Sequence, residues 1–116
     1  MIVTTDKIAY LVGEIVRIGI ENDLDTEVRL RDSVECLDGG AWRSVTGDAE
    51  THIVLPRGLR FMLLPHTKTS IEWNQTAHGT LVGTGRYRIK MIVSSLNVSG
   101  EEETPYEAYS DEFTIS

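Results

Sequence analysis

The side chains best suited to bond-making chemistry are few. Cys36 is the one cysteine, and the three histidines, His52, His66 and His78, lie 14 and 12 residues apart. Ligands that share a metal locally recur about every two to five residues, so this spacing predicts solvent-facing loop histidines rather than a zinc site. Cys36 falls on the apolar side of an alternating run, which predicts a small core residue; a catalytic thiol needs a basic, half-exposed setting. A lone cysteine also excludes an intramolecular disulfide framework. Glu21, Asp23, Asp25 and Glu27 offer carboxylates on alternate residues, a donor set that suits calcium. The run lacks the glycine and terminal glutamate of an EF-hand loop and reads as a solvated turn.

Other catalytic signatures are missing as well. No Gly-x-Ser-x-Gly elbow occurs. The glycine-rich run from Gly79 to Gly85 is not followed by Gly-Lys-Ser/Thr or by a helix, which a phosphate-cradling loop requires. With no nucleophile, base and stabiliser in view, the sequence predicts a protein that is not an enzyme, with no metal and no cofactor. Binding residues are easier to name. Trp73 sits in an alternating pattern and reads as a large core residue. Trp42 follows a hairpin turn and abuts Arg43; packing is its favoured reading, with contact to a partner as the alternative, because exposed Trp and Arg are typical interface hot spots. Arg57, beside Gly58 and after Pro56, is the third candidate for partner contact, on a protruding loop.

The elements that position these residues are strands. Val16, Ile18 and Ile20 alternate with Arg17, Gly19 and Glu21, the pattern of a half-buried strand, and Asn22-Asp23-Leu24-Asp25 reads as a turn. Val28, Leu30, Val34 and Cys36 continue a second apolar face that Asp32 interrupts, which predicts a bulge or a partly exposed section there. Asp38-Gly39-Gly40 signals a hairpin, with Ala41 to Thr46 as the returning strand. Leu59, Phe61 and Leu63, then Ile71, Trp73 and Gln75, then Tyr87, Ile89, Met91 and Val93, and finally Phe113 and Ile115 repeat the alternation. About seven to nine short strands without a helix predict an all-β, immunoglobulin-like antiparallel β-sandwich, one domain over residues 1–116.

Composition narrows the partners. The 116 residues are 41% hydrophobic and 25% charged, an ordinary globular balance, and the net charge is −7. That charge argues against nucleic acid, which needs a clustered basic surface. Residues 101–116 hold six acids and no base, so the rest of the chain is nearly neutral. Glu101–Glu103 read as a solvated loop before a final strand, with an acidic docking tag as the functional alternative. The longest apolar stretches are four or five residues, well short of the ~20 that span a bilayer, so no membrane is expected. Met1 to Lys7 lacks the order of a signal peptide, which predicts a cytoplasmic protein if Met1 is the native start and an extracytoplasmic one if the chain is excised from a longer exported protein.

Three motifs carry a family resemblance. Tyr10 to Asn22 resembles the Gly-Glu, apolar-alternation, Asn opening of bacterial and archaeal immunoglobulin-like domains. Asp38-Gly39-Gly40-Ala41-Trp42, and the order Trp73-x-Gln75, Gly79, Gly85-x-Tyr87, are similar to the BsuPI-like intracellular proteinase inhibitor domain. The matches span residues 8–93, with Thr84 where the family places a proline before the corner glycine. The resemblance implies an immunoglobulin-like sandwich that acts through a protein partner, a proteinase in the specific case; it transfers no inhibitory residue. A carbohydrate-binding sandwich is the alternative.

Overall fold

The computed structural model of the protein describes residues 1–45, 53–54, 61–75, 83–97 and 99–116. Eleven strands appear among them: β1 (Ile2–Thr5), β2 (Ala9–Tyr10), β3 (Ile15–Glu21), β4 (Val28–Asp38), β5 (Ala41–Ser44), β6 (Ile53–Val54), β7 (Phe61–Leu63), β8 (Lys68–Asn74), β9 (Gly85–Ser95), β10 (Tyr106–Tyr109) and β11 (Phe113–Ile115). A four-stranded sheet runs β1-β3-β8-β6. The larger one runs β2-β11-β9-β4-β5, with β10 also on β9 and β7 also on β4. The two sheets form an immunoglobulin-like β-sandwich.

The count exceeds the expected seven to nine because three short strands, β1, β2 and β10, join the alternating runs. The N-terminal run contributes β1 to the small sheet and then crosses to the large one, where β2 lies parallel to β11. Near the C-terminus, Ser110, Asp111 and Glu112 face only Ile89 and Arg88 of β9, a one-residue bulge between β10 and β11. Ser110 closes it: its N–H donates to the Ile89 carbonyl at 3.0 Å, and its hydroxyl accepts the Ile89 N–H at 2.9 Å.

Alternation sorts the side chains as anticipated. Val16, Ile18, Ile20, Ile71, Trp73 and Gln75 from the small sheet are buried, facing Val28, Leu30, Val34, Tyr87, Ile89, Met91, Val93, Phe113 and Ile115 from the large one. An aromatic chain crosses this interior. Tyr10 meets Phe113 edge-on at 5.3 Å, Phe113 stacks on Tyr87 at 6.1 Å, and Tyr87 leans against Trp73 at 6.1 Å. Trp73 belongs to the opposite sheet, so this contact ties the layers with large apolar area and favourable ring geometry. Cys36 packs against the same core from the inward face.

Asp32 requires a correction. No bulge or exposed section occurs in β4: its pairing with β9 keeps one register from Val28↔Ser95 to Cys36↔Tyr87, and Asp32, opposite Met91, is buried. The regular ladder on both sides holds the backbone straight, so a single polar residue does not displace it.

Polar side chains fix the ends. Gly39 and Gly40 both take positive φ, 60° and 86°, the backbone that a two-residue hairpin turn requires. The Tyr87 hydroxyl donates to the Gly83 carbonyl at 2.5 Å, the corner tie that a tyrosine just past a glycine can make. Asn22, fully buried, donates to the carbonyls of Thr26, Leu63 and Leu64 while its Oδ1 accepts the Leu24 N–H. Gln75 braces the turn before β3: it accepts the Gly13 N–H at 3.0 Å and donates to the carbonyls of Leu11 and Glu14 at 3.1 and 2.7 Å. Tyr10 donates to Asp6 Oδ1 at 2.6 Å and accepts the Lys7 N–H, locking the sheet-crossing segment.

Two outcomes follow from these braces. Gln75→Ala strands three backbone groups from their buried partner and is expected to cost about 2–4 kcal/mol in urea unfolding. Burial, reinforced by the hydrogen bond to Asp6, pushes the Tyr10 hydroxyl up to about 12, so the neutral phenol stabilises the fold below about pH 10 and that stabilisation is lost as pH rises toward 12. The Tyr10 bond holds the Asp6 carboxyl below its ordinary range, so a second contribution, present at neutral pH, disappears as acid protonates Asp6. Tyr10→Phe should flatten both steps in a stability–pH profile.

Candidate interaction face

The outward side of the large sheet gathers a polar and aromatic cluster. In β4 the even-numbered residues point inward, which leaves Glu35 and Leu37 outside; the β4–β9 register sets Glu35 opposite Arg88 and Ser33 opposite Lys90. On one flank, β5 places Trp42 opposite Leu37. On the other, β10 places Tyr109 opposite Lys90 and Glu107 opposite Ile92. Four strands thus bring Trp42, Glu35, Arg88, Lys90, Tyr109 and Glu107 onto one surface.

Arg88 is the centre. Its guanidinium lies 4.3 Å from the Trp42 ring centroid and 4.0 Å from that of Tyr109, a cation held between two π faces. Arg88 Nε also donates to Glu35 Oε1 at 2.8 Å, with the Arg88 and Glu35 side chains only 23% and 11% exposed. Lys90 stands 3.2 Å from Glu107 and 3.9 Å from Glu35. The Tyr109 hydroxyl donates to Glu107 Oε2. That bond, with help from Lys90, holds the Glu107 carboxyl below its usual range and raises the Tyr109 hydroxyl. Each ionisable group here is matched by a neighbour, so the side chains of the cluster hold one another in place.

The sequence candidates fare differently. Trp42 is half-buried beneath Arg88, which agrees with the packing reading while leaving part of the ring at the surface. Arg43 points to the other side of β5: it pairs with Cys36, is exposed, and lies 3.4 Å from Asp38. The hairpin therefore presents Trp42 and Arg43 on opposite faces of β5. Arg57 lies outside the described residues, as do His52 and His78. His66, exposed and at positive φ, contacts Asp25 at 2.6 Å. Three of the four alternating acids take separate contacts, Glu21 with Lys68, Asp23 with the N-terminal ammonium and Asp25 with His66. Residues 101–103 are exposed, and Glu102 pairs with Arg29 at 3.0 Å.

Arg88 and Tyr109 were not singled out in the sequence. The alternation of Tyr87, Ile89, Met91 and Val93 leaves Arg88 and Lys90 on the opposite face of their strand. Tyr109 lay in a four-residue strand, Tyr106–Tyr109, too short to show a period.

No family model matches the chain, and no curated protein matches it. Among solved structures it is similar to the CsuC–CsuE chaperone–tip adhesion subunit pre-assembly complex of archaic chaperone-usher Csu pili from Acinetobacter baumannii, with a TM-score of 0.51 and 10% identity over 99% of this chain. The Pseudomonas fluorescens alkylpurine DNA glycosylase AlkC bound to abasic-site DNA gives a TM-score of 0.49 and 12% identity over 99% of this chain. The chain spans 56% and 30% of those two proteins. At such identities the chaperone likeness speaks for the shared sandwich alone.

Arg88→Ala tests the cluster. It removes two cation–π contacts and a carboxylate bond, an expected cost of about 1–2 kcal/mol. Trp73 is fully buried, so acrylamide quenching reports on Trp42, and it should rise in this variant as the ring loses its cover.

Proposed function

We propose that this chain is a non-enzymatic immunoglobulin-like module that works through contact with a protein partner, presented with the outer face of its large sheet. The Arg88 guanidinium held between Trp42 and Tyr109 carries this reading. Tryptophan, tyrosine and arginine are the residues in which interface energy concentrates. Here their rotamers are set before any partner arrives, so little side-chain entropy remains to be lost on binding. The chaperone of similar fold is named for its assembly with a tip adhesion subunit, a precedent for protein contact on this scaffold.

A narrower form of the reading, proteinase inhibition of the BsuPI-like kind, rests on the sequence resemblance, with Arg57 as its sequence candidate. It has its own check: the intact protein should inhibit a member of a proteinase panel, and Arg57→Ala should relieve that inhibition. Absence of inhibition by the intact protein removes the narrower form.

For the face itself, a partner retained from a lysate of the source cell on the immobilised protein should bind Trp42→Ala and Tyr109→Ala at least tenfold more weakly, about 1.4 kcal/mol. Thr4→Ala, on the opposite sheet, should bind as the parent does. Undiminished binding by both face variants, or sugar-dependent quenching of Trp42 in place of protein binding, would overturn the proposal.

A further inference from the structure

The large sheet ends at β10 in an open edge. Among the described residues β10 pairs with β9 on one side only, and its residues are exposed except for half-buried Ala108. No described strand hydrogen-bonds to its other side, although β1 of the small sheet lies close by, so its outer backbone groups are unpaired among the described residues, the arrangement that accepts an added strand. Acid surrounds this edge. Glu101, Glu102 and Glu103 precede it, Glu107 sits in it, and Asp111 and Glu112 follow. Glu102, Glu107 and Glu112 have cationic neighbours in Arg29, Lys90 and Arg86. Glu101, Glu103 and Asp111 are exposed and form no ion pair among the described residues.

We propose that the free edge of β10 receives an extended basic segment of a partner protein as an additional strand. The inference rests on the protein-contact reading above and names the chemistry of the partner. Charge decides the occupant. A second copy would bring the same acids against these and be repelled, and the bulge at Ser110–Glu112 further hinders self-pairing. A segment rich in Lys or Arg is attracted instead. Alternation adds a pattern. Glu107 and Tyr109 lie on the outer face, where a cation can meet a carboxylate and stack on a ring; Tyr106, 42% exposed, and Ala108 lie on the inner side, where an apolar residue gains cover. The preferred segment therefore alternates basic and apolar residues, with the basic ones continuing the ladder that ends at Tyr109.

The probe is a capped peptide of about six residues alternating Lys and Val, with a Glu–Val counterpart, titrated into the full chain and followed by amide chemical shifts. The Lys–Val peptide should produce saturable shifts centred on Tyr106–Tyr109. Its binding should weaken at least tenfold between about 50 and about 500 mM salt, and as much in the E101K/E103K/D111K variant; the Glu–Val peptide should not bind. Absence of saturable shifts, shifts centred on another edge, or equal binding of the two peptides would overturn the inference. None of these would touch the face reading, which stands or falls on the Trp42→Ala and Tyr109→Ala partner measurements. Should the triple variant unfold, Glu103→Gln with Asp111→Asn supplies the same comparison, with a smaller loss expected.

Discussion

Strands β4 and β9 run against one another through nine consecutive residue pairs, and that register places almost everything else. Its inward residues, Val28, Leu30, Val34, Tyr87, Ile89, Met91 and Val93, form most of the large sheet's half of the core. Its outward residues set Glu35 against Arg88 and deliver Arg88 between Trp42 and Tyr109. A slip of one residue would invert both faces, moving charge into the core and the apolar set into water. The short strands depend on the same pair: β7 and β5 share the far side of β4, while β10 and β11 share the far side of β9.

Much of this architecture was legible in the sequence, and for one reason. Where a strand buries one face, a period of two appears in the residue types. Ile15–Glu21, Lys68–Asn74 and Gly85–Ser95 are long enough to show it. Gly39-Gly40 and the Tyr87 corner were legible because each states a local backbone requirement. The strands that escaped notice were short. Ile2–Thr5, Ala9–Tyr10 and Tyr106–Tyr109 span two to four residues, and their positions depend on partners remote in sequence. Asp32 misled in the other direction. A polar residue on an apolar face looks like an interruption, yet the neighbouring ladder overrides it. The bulge that does occur lies at Ser110–Glu112, where nothing in the residue types announced it.

The candidate face was only half visible for a related reason. Neighbouring residues in a strand point to opposite sides, so Trp42 and Arg43 project to opposite faces, and the arginine that does meet Trp42 comes from 46 positions later in the chain. Composition could suggest that tryptophan and arginine would matter. Only the register of three strand pairs could say which ones meet. The acidic C-terminal run shows the same division: its charge is plain in the sequence, whereas its placement along an open strand edge is a property of the fold.

The most direct test is a series of cross-strand nuclear Overhauser effects between Cα protons along β4 and β9. An unbroken antiparallel register predicts contacts at alternate facing pairs in one continuous series from Val28 and Ser95 to Cys36 and Tyr87, passing Asp32 and Met91 without a shift. A one-residue offset beginning at Asp32 would contradict it, since Glu35 and Trp42 would then turn away from Arg88.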